Sequence, residues 1–156
     1  MRNRIGSASQ LSTMSSPLRV FTGRPVVIDS SVAFKWFDVT EPGADEAAQL
    51  LRAHQRDEIA LVAPAHLPLE IVNVHGCRGA SAELLAEAVE ALADTDLLIA
   101  PIEQRLLIDA TRIASAERLT IYDAVFIALA AQLDAELVTA DRRQARTRGC
   151  RVRVIG

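Results

Sequence analysis

Short apolar runs alternate along the chain with longer segments in which apolar residues recur every three or four positions. The short runs, rich in β-branched residues, are typical of buried strands, and the three-to-four spacing predicts helices. The pattern predicts strands at 26–29, 59–63, 97–100, 136–141 and 152–155. It predicts helices at 31–37, 44–56, 68–74, 81–93, 103–118, 120–131 and 142–148, with His54 at the surface or its boundary and a break over 76–79. This alternation predicts an α/β fold with a mostly parallel central sheet and helices on both faces.

The length of 156 residues suits one domain with a single core. No apolar run approaches the roughly 18 residues that a membrane span needs, so we expect a soluble, cytoplasmic protein. Residues 1–24 contain four arginines and no acid, and they lack the apolar core of a secretory signal. We expect a poorly ordered extension over 1–24 and a folded domain over 25–156. The two cysteines form no metal-binding motif.

Charge is unevenly distributed along the sequence. Residues 25–140 hold 19 acids and 7 bases, whereas residues 141–156 hold six arginines and one acid, Asp141. An acidic body with an arginine-rich end can bind cations at one place and phosphates at another. The simpler alternative is that the basic segment is a solvated surface helix.

Two predicted strands end in a carboxylate. Asp29 follows the first apolar run, and Asp141 follows the run Leu137-Val138-Thr139. The carboxyl ends of parallel strands lie at one edge of the sheet, where α/β proteins bind ligands. Alternatively, each acid only opens a turn or caps the helix that follows it.

Two further acids are predicted in the first turns of helices that begin near the same edge. Glu70 follows Pro68, which suits the first helical position, and the helix dipole alone would favour an acid there. Asp123 interrupts an almost wholly apolar helix, although Thr120 and Asp123 also resemble a capping box. Four capping residues at one edge by chance are less plausible than one shared site.

Four neighbouring carboxylates repel one another unless some are protonated or a cation lies between them. A site with only oxygen ligands suits Mg²⁺ or Mn²⁺ better than Zn²⁺, and such ions support hydrolysis of phosphodiesters. Aromatic residues make up only 4% of the chain, which argues against a base-stacking platform. We therefore expect a nucleic acid to be held through its phosphates by Arg142, Arg143 and Arg146.

The acid-bearing segments resemble those of the PIN-domain family, and within it the VapC-type ribonuclease toxins of toxin–antitoxin pairs. The resemblance covers residues 26–155 and depends on the motifs V-I-D-S-S-V at 27–32, P-L-E-I-V-N-V at 68–74, T-I-Y-D-A at 120–124 and L-V-T-A-D-R at 137–142. It implies a single PIN-like domain and an endoribonuclease that is usually a homodimer, cleaves RNA and is inhibited by a cognate antitoxin.

The resemblance also implies roles for individual residues. Those implied as catalytic and metal-binding are Asp29, Glu70, Asp123 and Asp141. Ser30 and Thr139 would support the site through their hydroxyls, and Asn73 would orient the acids. The implied cofactor is Mg²⁺ or Mn²⁺.

Two other functions fit parts of the sequence. A phosphoacceptor receiver domain also clusters acids at strand ends, but it needs adjacent acids near the first strand and a late lysine. Here Ser30 follows Asp29, and the only lysine is Lys35. A PIN fold that binds RNA or protein without cutting is the closer alternative, although the presence of all four acids argues against it.

Overall fold

The computed structural model of the protein describes residues 21–156, and five strands form its centre. These are β1 (Arg24–Ile28), β2 (Ile59–Pro64), β3 (Leu98–Ala100), β4 (Glu136–Thr139) and β5 (Arg151–Val154). They lie in the order β3-β2-β1-β4-β5, and every neighbouring pair is parallel. The predicted α/β fold with a parallel sheet is confirmed.

Helices connect most of the strands, because parallel neighbours need long crossovers. The described part of the chain contains α1 (Ser30–Ala33), α2 (Ala44–Gln55), α3 (Leu67–Cys77), α4 (Ala82–Ala93), α5 (Gln104–Glu117) and α6 (Ile121–Gln132). Two 3-10 turns, Phe34–Trp36 and Gln144–Arg146, complete the regular structure of this part.

The middle strand, β1, is covered on both faces. Val26, Val27 and Ile28 are fully buried, and consecutive side chains of a strand point to opposite faces. On its two sides β1 pairs with β2 and β4. The chain therefore runs from β1 outward to β3, then returns to β4 on the other side. This reversal creates a crevice at the carboxyl ends of β1 and β4, the usual ligand position in such sheets.

Helix α6 packs against β1, β2 and β4, which explains why it is apolar on almost every side. Residues 124–130 are all buried. The polar residues of α6 lie at its two ends: Tyr122, exposed, and Asp123, half-buried, in the first turn, and Gln132 at the last position. The first turn of α6 thus presents Asp123 at the edge of the core.

The helix predicted over 142–148 does not form. Only the 3-10 turn Gln144–Arg146 is helical, and Thr147 is already extended. The segment has the sequence R-R-Q-A-R-T-R, in which a single alanine is apolar. A helix this short is stable only when an apolar face packs on the core, and this segment has none.

Two smaller expectations from the sequence were also wrong. His54 was expected at the surface or its boundary, but it is fully buried. Its Nδ1 accepts the N–H of Leu61 at 3.1 Å, and Nε2 lies 3.0 Å from the carbonyl oxygen of Asp96, so both ring nitrogens are satisfied. A break was expected from Gly76, whereas α3 continues through it to Cys77.

The predicted extension over 1–24 lies mostly outside the described residues. Arg24 is the first residue of β1, so the sheet begins one residue before the predicted domain boundary. Among residues 21–156, no helix is both long and apolar enough to cross a membrane.

Candidate functional site

Asp29 occupies the crevice between β1 and β4, and only 1% of its surface is exposed. Its Oδ1 accepts the N–H of Val32 at 3.2 Å and the hydroxyl of Ser31 at 2.6 Å, so it caps α1. Its Oδ2 instead accepts the hydroxyl of Thr139 at 2.5 Å, across the sheet. Capping therefore accounts for one oxygen only, and the other joins Asp29 to the end of β4.

The chain after β4 is fixed to Asp29 through two hydroxyls. Thr139 Oγ1 accepts the N–H of Asp141 at 2.8 Å, and Ser31 Oγ accepts the N–H of Ala140 at 2.8 Å. Each hydroxyl thus donates to Asp29 and accepts from the main chain that follows β4. Because of these bonds, Asp141 is held beside Asp29.

The environment of Asp29 disfavours its charge. Burial raises its pKa from 3.8 to about 6, although hydrogen bonds from Ser31, Thr139 and Val32 oppose the shift. Repulsion from Asp141 raises this pKa further. A buried carboxylate with a like-charged neighbour is a common feature of functional sites.

Glu70 lies half-buried in the first turn of α3. Burial raises its pKa, the Ser30 hydroxyl opposes that shift by hydrogen bonding, and the charge of Asp123 adds to it. Besides its place in the first turn of α3, Glu70 faces both the residue after Asp29 and the acid of α6.

His66 lies beside Glu70, with Nε2 3.6 Å from Glu70 Oε1. Its ring is buried against Phe126, and neither nitrogen makes a hydrogen bond of ordinary geometry within the described residues. Burial lowers the pKa of His66, while the main chain of Tyr122 and the charge of Asp123 oppose this. Burial thus favours the neutral imidazole over an ion pair with Glu70.

Asp123 is held from two directions. Thr120 Oγ1 accepts the N–H of Asp123 at 3.1 Å and donates to Asp123 Oδ2 at 2.7 Å, so the predicted cap is formed. Gln144 Nε2 donates to Asp123 Oδ1 at 3.2 Å. The contact from Gln144 links α6 to the turn after β4.

The four predicted acids therefore lie along one path of contacts at one edge of the sheet. Asp141 is held through Thr139 to Asp29, Ser30 follows Asp29 and contacts Glu70, Glu70 faces Asp123, and Gln144 joins Asp123 to the segment that Asp141 begins. The structure thus places the four acids at one edge of the sheet, and their action as one shared site stays a prediction.

The ligand atoms that these four acids offer a metal are carboxylate oxygens. All donors are oxygens, and the acids repel in two pairs, Asp29 with Asp141 and Glu70 with Asp123. This chemistry fits Mg²⁺ or Mn²⁺. Across residues 21–156, however, no three His, Cys, Asp or Glu side chains converge closely enough to hold an ion.

Asn73 is exposed on α3 and makes no side-chain hydrogen bond to a described residue. It lines a cavity of about 500 Å³ with His66, Leu69, Glu70 and Tyr122. The suggested role of Asn73 in orienting the acids stays a prediction.

The predicted arginines follow Asp141 directly. Arg143 donates to Asp141 twice, from its N–H at 2.8 Å and from its guanidinium at 3.2 Å. Arg142 is exposed, and Arg146 is exposed at the end of the 3-10 turn. Of the three, only Arg143 contacts one of the acids.

Sequence reasoning missed two residues of the site. Ser31 was taken as the start of a helix, with Ser30 as the hydroxyl support, but Ser31 bonds Asp29 while Ser30 serves Glu70. Gln144 was placed on a surface helix, yet it is 3% exposed and contacts Asp123. The sequence signal for Gln144 was weak: it is one uncharged polar side chain among arginines.

Comparison with solved structures shows that the fold recurs in toxin–antitoxin proteins. VapBC2 from Rickettsia felis, bound to a DNA fragment from its promoter, aligns with 85% of this chain and 99% of its own, at 11% identity and a TM-score of 0.67. A toxin–antitoxin complex from Klebsiella pneumoniae aligns with 84% of this chain and 96% of its own, at 18% identity and a TM-score of 0.61. VapBC-5, a toxin–antitoxin system from Mycobacterium tuberculosis, aligns over 85% and 98%, at 19% identity and a TM-score of 0.53.

These likenesses establish the fold, and sequence comparison establishes the family. No curated protein matches the chain significantly. The PIN domain family model matches residues 26–149, a range that includes all four acids, Ser30, Asn73 and Thr139. The chain therefore belongs to the PIN domain family.

Proposed function

We propose that the protein is a metal-dependent endoribonuclease that hydrolyses RNA phosphodiester bonds as the toxin of a toxin–antitoxin pair. The observation that supports this most directly is the buried Asp29, bonded across the sheet to Thr139 and repelled by Asp141 at the ligand crevice. Because the chain belongs to the PIN domain family, it is not a receiver domain.

The proposed cofactor is Mg²⁺ or Mn²⁺, with Asp29, Glu70, Asp123 and Asp141 as its ligands. Binding it would require the pairs Asp29–Asp141 and Glu70–Asp123 to come closer together than they lie here. When bound, such an ion supplies a Lewis acid and lowers the pKa of an attacking water. The chain's own hydroxyls and amide orient the acids: Thr139 and Ser31 fix Asp29, Ser30 contacts Glu70, and Gln144 contacts Asp123. Residues that orient metal ligands usually matter for activity nearly as much as the ligands themselves.

The proposed partners follow from the comparisons and the charge distribution. The structural neighbours are toxin–antitoxin proteins, which favours a cognate antitoxin as partner. The arginines at 142, 143 and 146 are the proposed contacts to RNA phosphates. We further propose a homodimer in the cytoplasm.

The decisive experiment is cleavage of total cellular RNA by the purified chain with Mg²⁺, with Mn²⁺ and with EDTA. We expect discrete fragments with either metal and none with EDTA. Asp123→Asn should abolish cleavage and leave the fold intact, because it removes a ligand charge but keeps an acceptor for Thr120.

Asp45→Asn is a matched control, because Asp45 lies in the first turn of α2 as Asp123 does in α6. The control should cut like the wild type. Wild-type cleavage by Asp123→Asn would remove that residue from the mechanism. If the folded, antitoxin-free wild type cuts nothing under any condition, the alternative of a PIN fold that binds without cutting replaces the nuclease.

A further inference from the structure

An arginine-lined pocket lies next to the acids and is not explained by the site described so far. Its volume is about 560 Å³, within the roughly 300–1,000 Å³ usual for ligand sites. It is formed where α5 ends, where the chain turns into α6, and where the segment after β4 passes. The lining residues are Ala116, Glu117, Arg118, Leu119, Arg143, Arg146 and Arg148.

The charge of this pocket is largely uncompensated. Four arginines line it against one acid, Glu117. In the chain from residue 21 onward, the side chains of Arg118, Arg146 and Arg148 form no ion pair or hydrogen bond. Glu117 accepts the main-chain N–H of Arg148 at 3.1 Å, so it fixes the loop. Repulsion among like charges around one cavity destabilises the folded state unless an anion binds between them.

The type of cation matters as well. All four bases are arginines, whose planar guanidinium groups bind phosphate oxygens in pairs. The only lysine of the chain, Lys35, is buried elsewhere and lies 3.7 Å from Glu41. The pocket is therefore suited to a group with several anionic oxygens.

Arg118 occupies a backbone conformation that disfavours most residues with a Cβ atom. It ends α5 with φ 56° and ψ 41°, in the left-handed region where Gly, Asn and Asp are preferred. The other non-glycine residues with positive φ in the described chain are Asp57, Asp96 and Asp134. Because the Arg118 side chain pairs with no described residue, its guanidinium is available to a ligand.

The pocket is continuous with the acids through Arg143. Arg143 lines the pocket, and its guanidinium lies 3.2 Å from Asp141 Oδ2. An RNA strand cut at the acids would carry its next phosphates past Arg143 toward Arg118 and Arg148. Guanidinium groups also bind carboxylates, but the position beside Asp141 favours the substrate strand over an acidic peptide.

We propose that the pocket formed by Arg118, Arg143, Arg146 and Arg148 binds backbone phosphates of single-stranded RNA on one side of the bond that is cut. The proposal depends on the ribonuclease function proposed above, and it adds Arg118 and Arg148 to the arginines expected from the sequence. It requires these side chains for affinity and for salt dependence.

The test measures binding without cleavage. A fluorescein-labelled single-stranded RNA is titrated with the full chain in EDTA, and fluorescence anisotropy gives Kd at several salt concentrations. Each phosphate contact to a single strand contributes about 0.7 to the slope of log Kd against log salt. The double variant Arg118→Gln/Arg148→Gln should weaken binding and lower the slope by about 1.4.

The matched control is Arg105→Gln/Arg112→Gln, which removes two exposed charges from α5 outside the pocket. We expect little change in its slope. The variant Arg118→Lys/Arg148→Lys should keep the slope and lose some affinity, because lysine retains the charge without the planar fork. Arg146→Gln, with a slope lowered by about 0.7, provides a second test if the double variant does not fold.

The slopes and the cleavage of the wild type together distinguish the phosphate site from the ribonuclease function. A pocket variant whose slope falls no more than that of the control overturns the phosphate site, while metal-dependent cleavage by the wild type would leave the ribonuclease intact. A wild type that neither binds nor cuts RNA overturns both proposals. If the wild type binds a labelled deca-glutamate peptide through Arg118 and Arg148 but does not bind RNA, the pocket is a protein-docking surface and the proposal is wrong.

Discussion

Asp29 combines full burial with a charge that the fold opposes, and this should destabilise the metal-free protein. Its carboxyl pKa is about 6 when folded and near 3.8 when unfolded, so between these values the folded state binds more protons. Stability must then fall as pH rises through this window, because ionisation favours the unfolded chain. Functional sites often sacrifice stability in this way.

We therefore expect Asp29→Asn to stabilise the protein in EDTA at neutral pH while abolishing cleavage. The wild type should lose about 2 kcal/mol of unfolding free energy between about pH 4.5 and about pH 7.5 from this group, and the variant should not. Urea denaturation at the two pH values measures the difference.

Asp109→Asn, on the exposed side of α5, serves as the control and should keep the wild-type pH dependence. Equal pH dependence in wild type and Asp29→Asn would show that Asp29 ionises without cost. Asn retains an oxygen for Ser31 and Val32, so lost capping should not obscure the result.

Individual residues also show where sequence pattern stops being informative. The strand-end positions of Asp29 and Asp141 follow from apolar runs, so pattern alone located them. The choice between Ser30 and Ser31 as the partner of Asp29 depends on the direction of the first turn of α1, and apolar periodicity does not report that. His54 was misplaced because its hydrogen bonds join it to Leu61 of β2 and to Asp96, 42 residues away, and helical spacing reports neither contact.

Among the elements, the 3-10 turn Gln144–Arg146 has the clearest consequence for activity. Its tight geometry buries Gln144, which then donates to Asp123 across the site. We expect Gln144→Ala to reduce cleavage by about 10- to 100-fold, the usual effect of removing a residue that orients a metal ligand. Cleavage rates at saturating RNA measure this.

Gln132→Ala is the matched control for the turn. Gln132 also donates an amide hydrogen bond to a carboxylate, Asp109 at 2.9 Å, but on the surface and outside the site. It should cut at the wild-type rate. Gln144→Glu cannot donate to Asp123, and its carboxylate would repel that acid. If it nevertheless cut as fast as the wild type, the loss in Gln144→Ala would not be due to the hydrogen bond to Asp123.

This turn also marks the limit of predicting elements from pattern. The seven residues 142–148 are polar enough for a surface helix, and no local signal in them distinguishes a helix from a 3-10 turn. The outcome is set by Asp141, which accepts the N–H of Arg143, and by the core position that Gln144 fills. Both depend on contacts made after the sheet has formed.

At the scale of the whole molecule, the fold followed from sequence because strand and helix periods alternate without interruption. The parallel sheet, the buried α6 and the shared edge of the four acids were all predicted. How close the acids come to one another was not predictable, since the bonds that fix them join residues up to 110 positions apart. The structure brings them together as two repelling pairs.

These repelling pairs predict that the stability of the whole domain responds to divalent cations. An ion that binds the folded acids and not the unfolded chain adds RT ln(1 + [L]/Kd), about 2.7 kcal/mol at a hundredfold excess over Kd. For a domain of this size we expect Mg²⁺ or Mn²⁺ to raise the Tm by about 5 to 10 °C, and EDTA to reverse the rise. Thermal denaturation followed by circular dichroism measures it independently of catalysis.

The variants separate site binding from a general effect of salt. Asp141→Asn should show a smaller rise in Tm than the wild type, because one of the two charges at the Asp29 pair is lost, whereas Asp45→Asn should respond fully. Sodium chloride at matched ionic strength should not reproduce the rise in Tm, since Na⁺ only screens surface charges and does not bind between the acids. Equal shifts in all three proteins would mean that the cation acts away from the acids, and the proposed metal site would then be wrong.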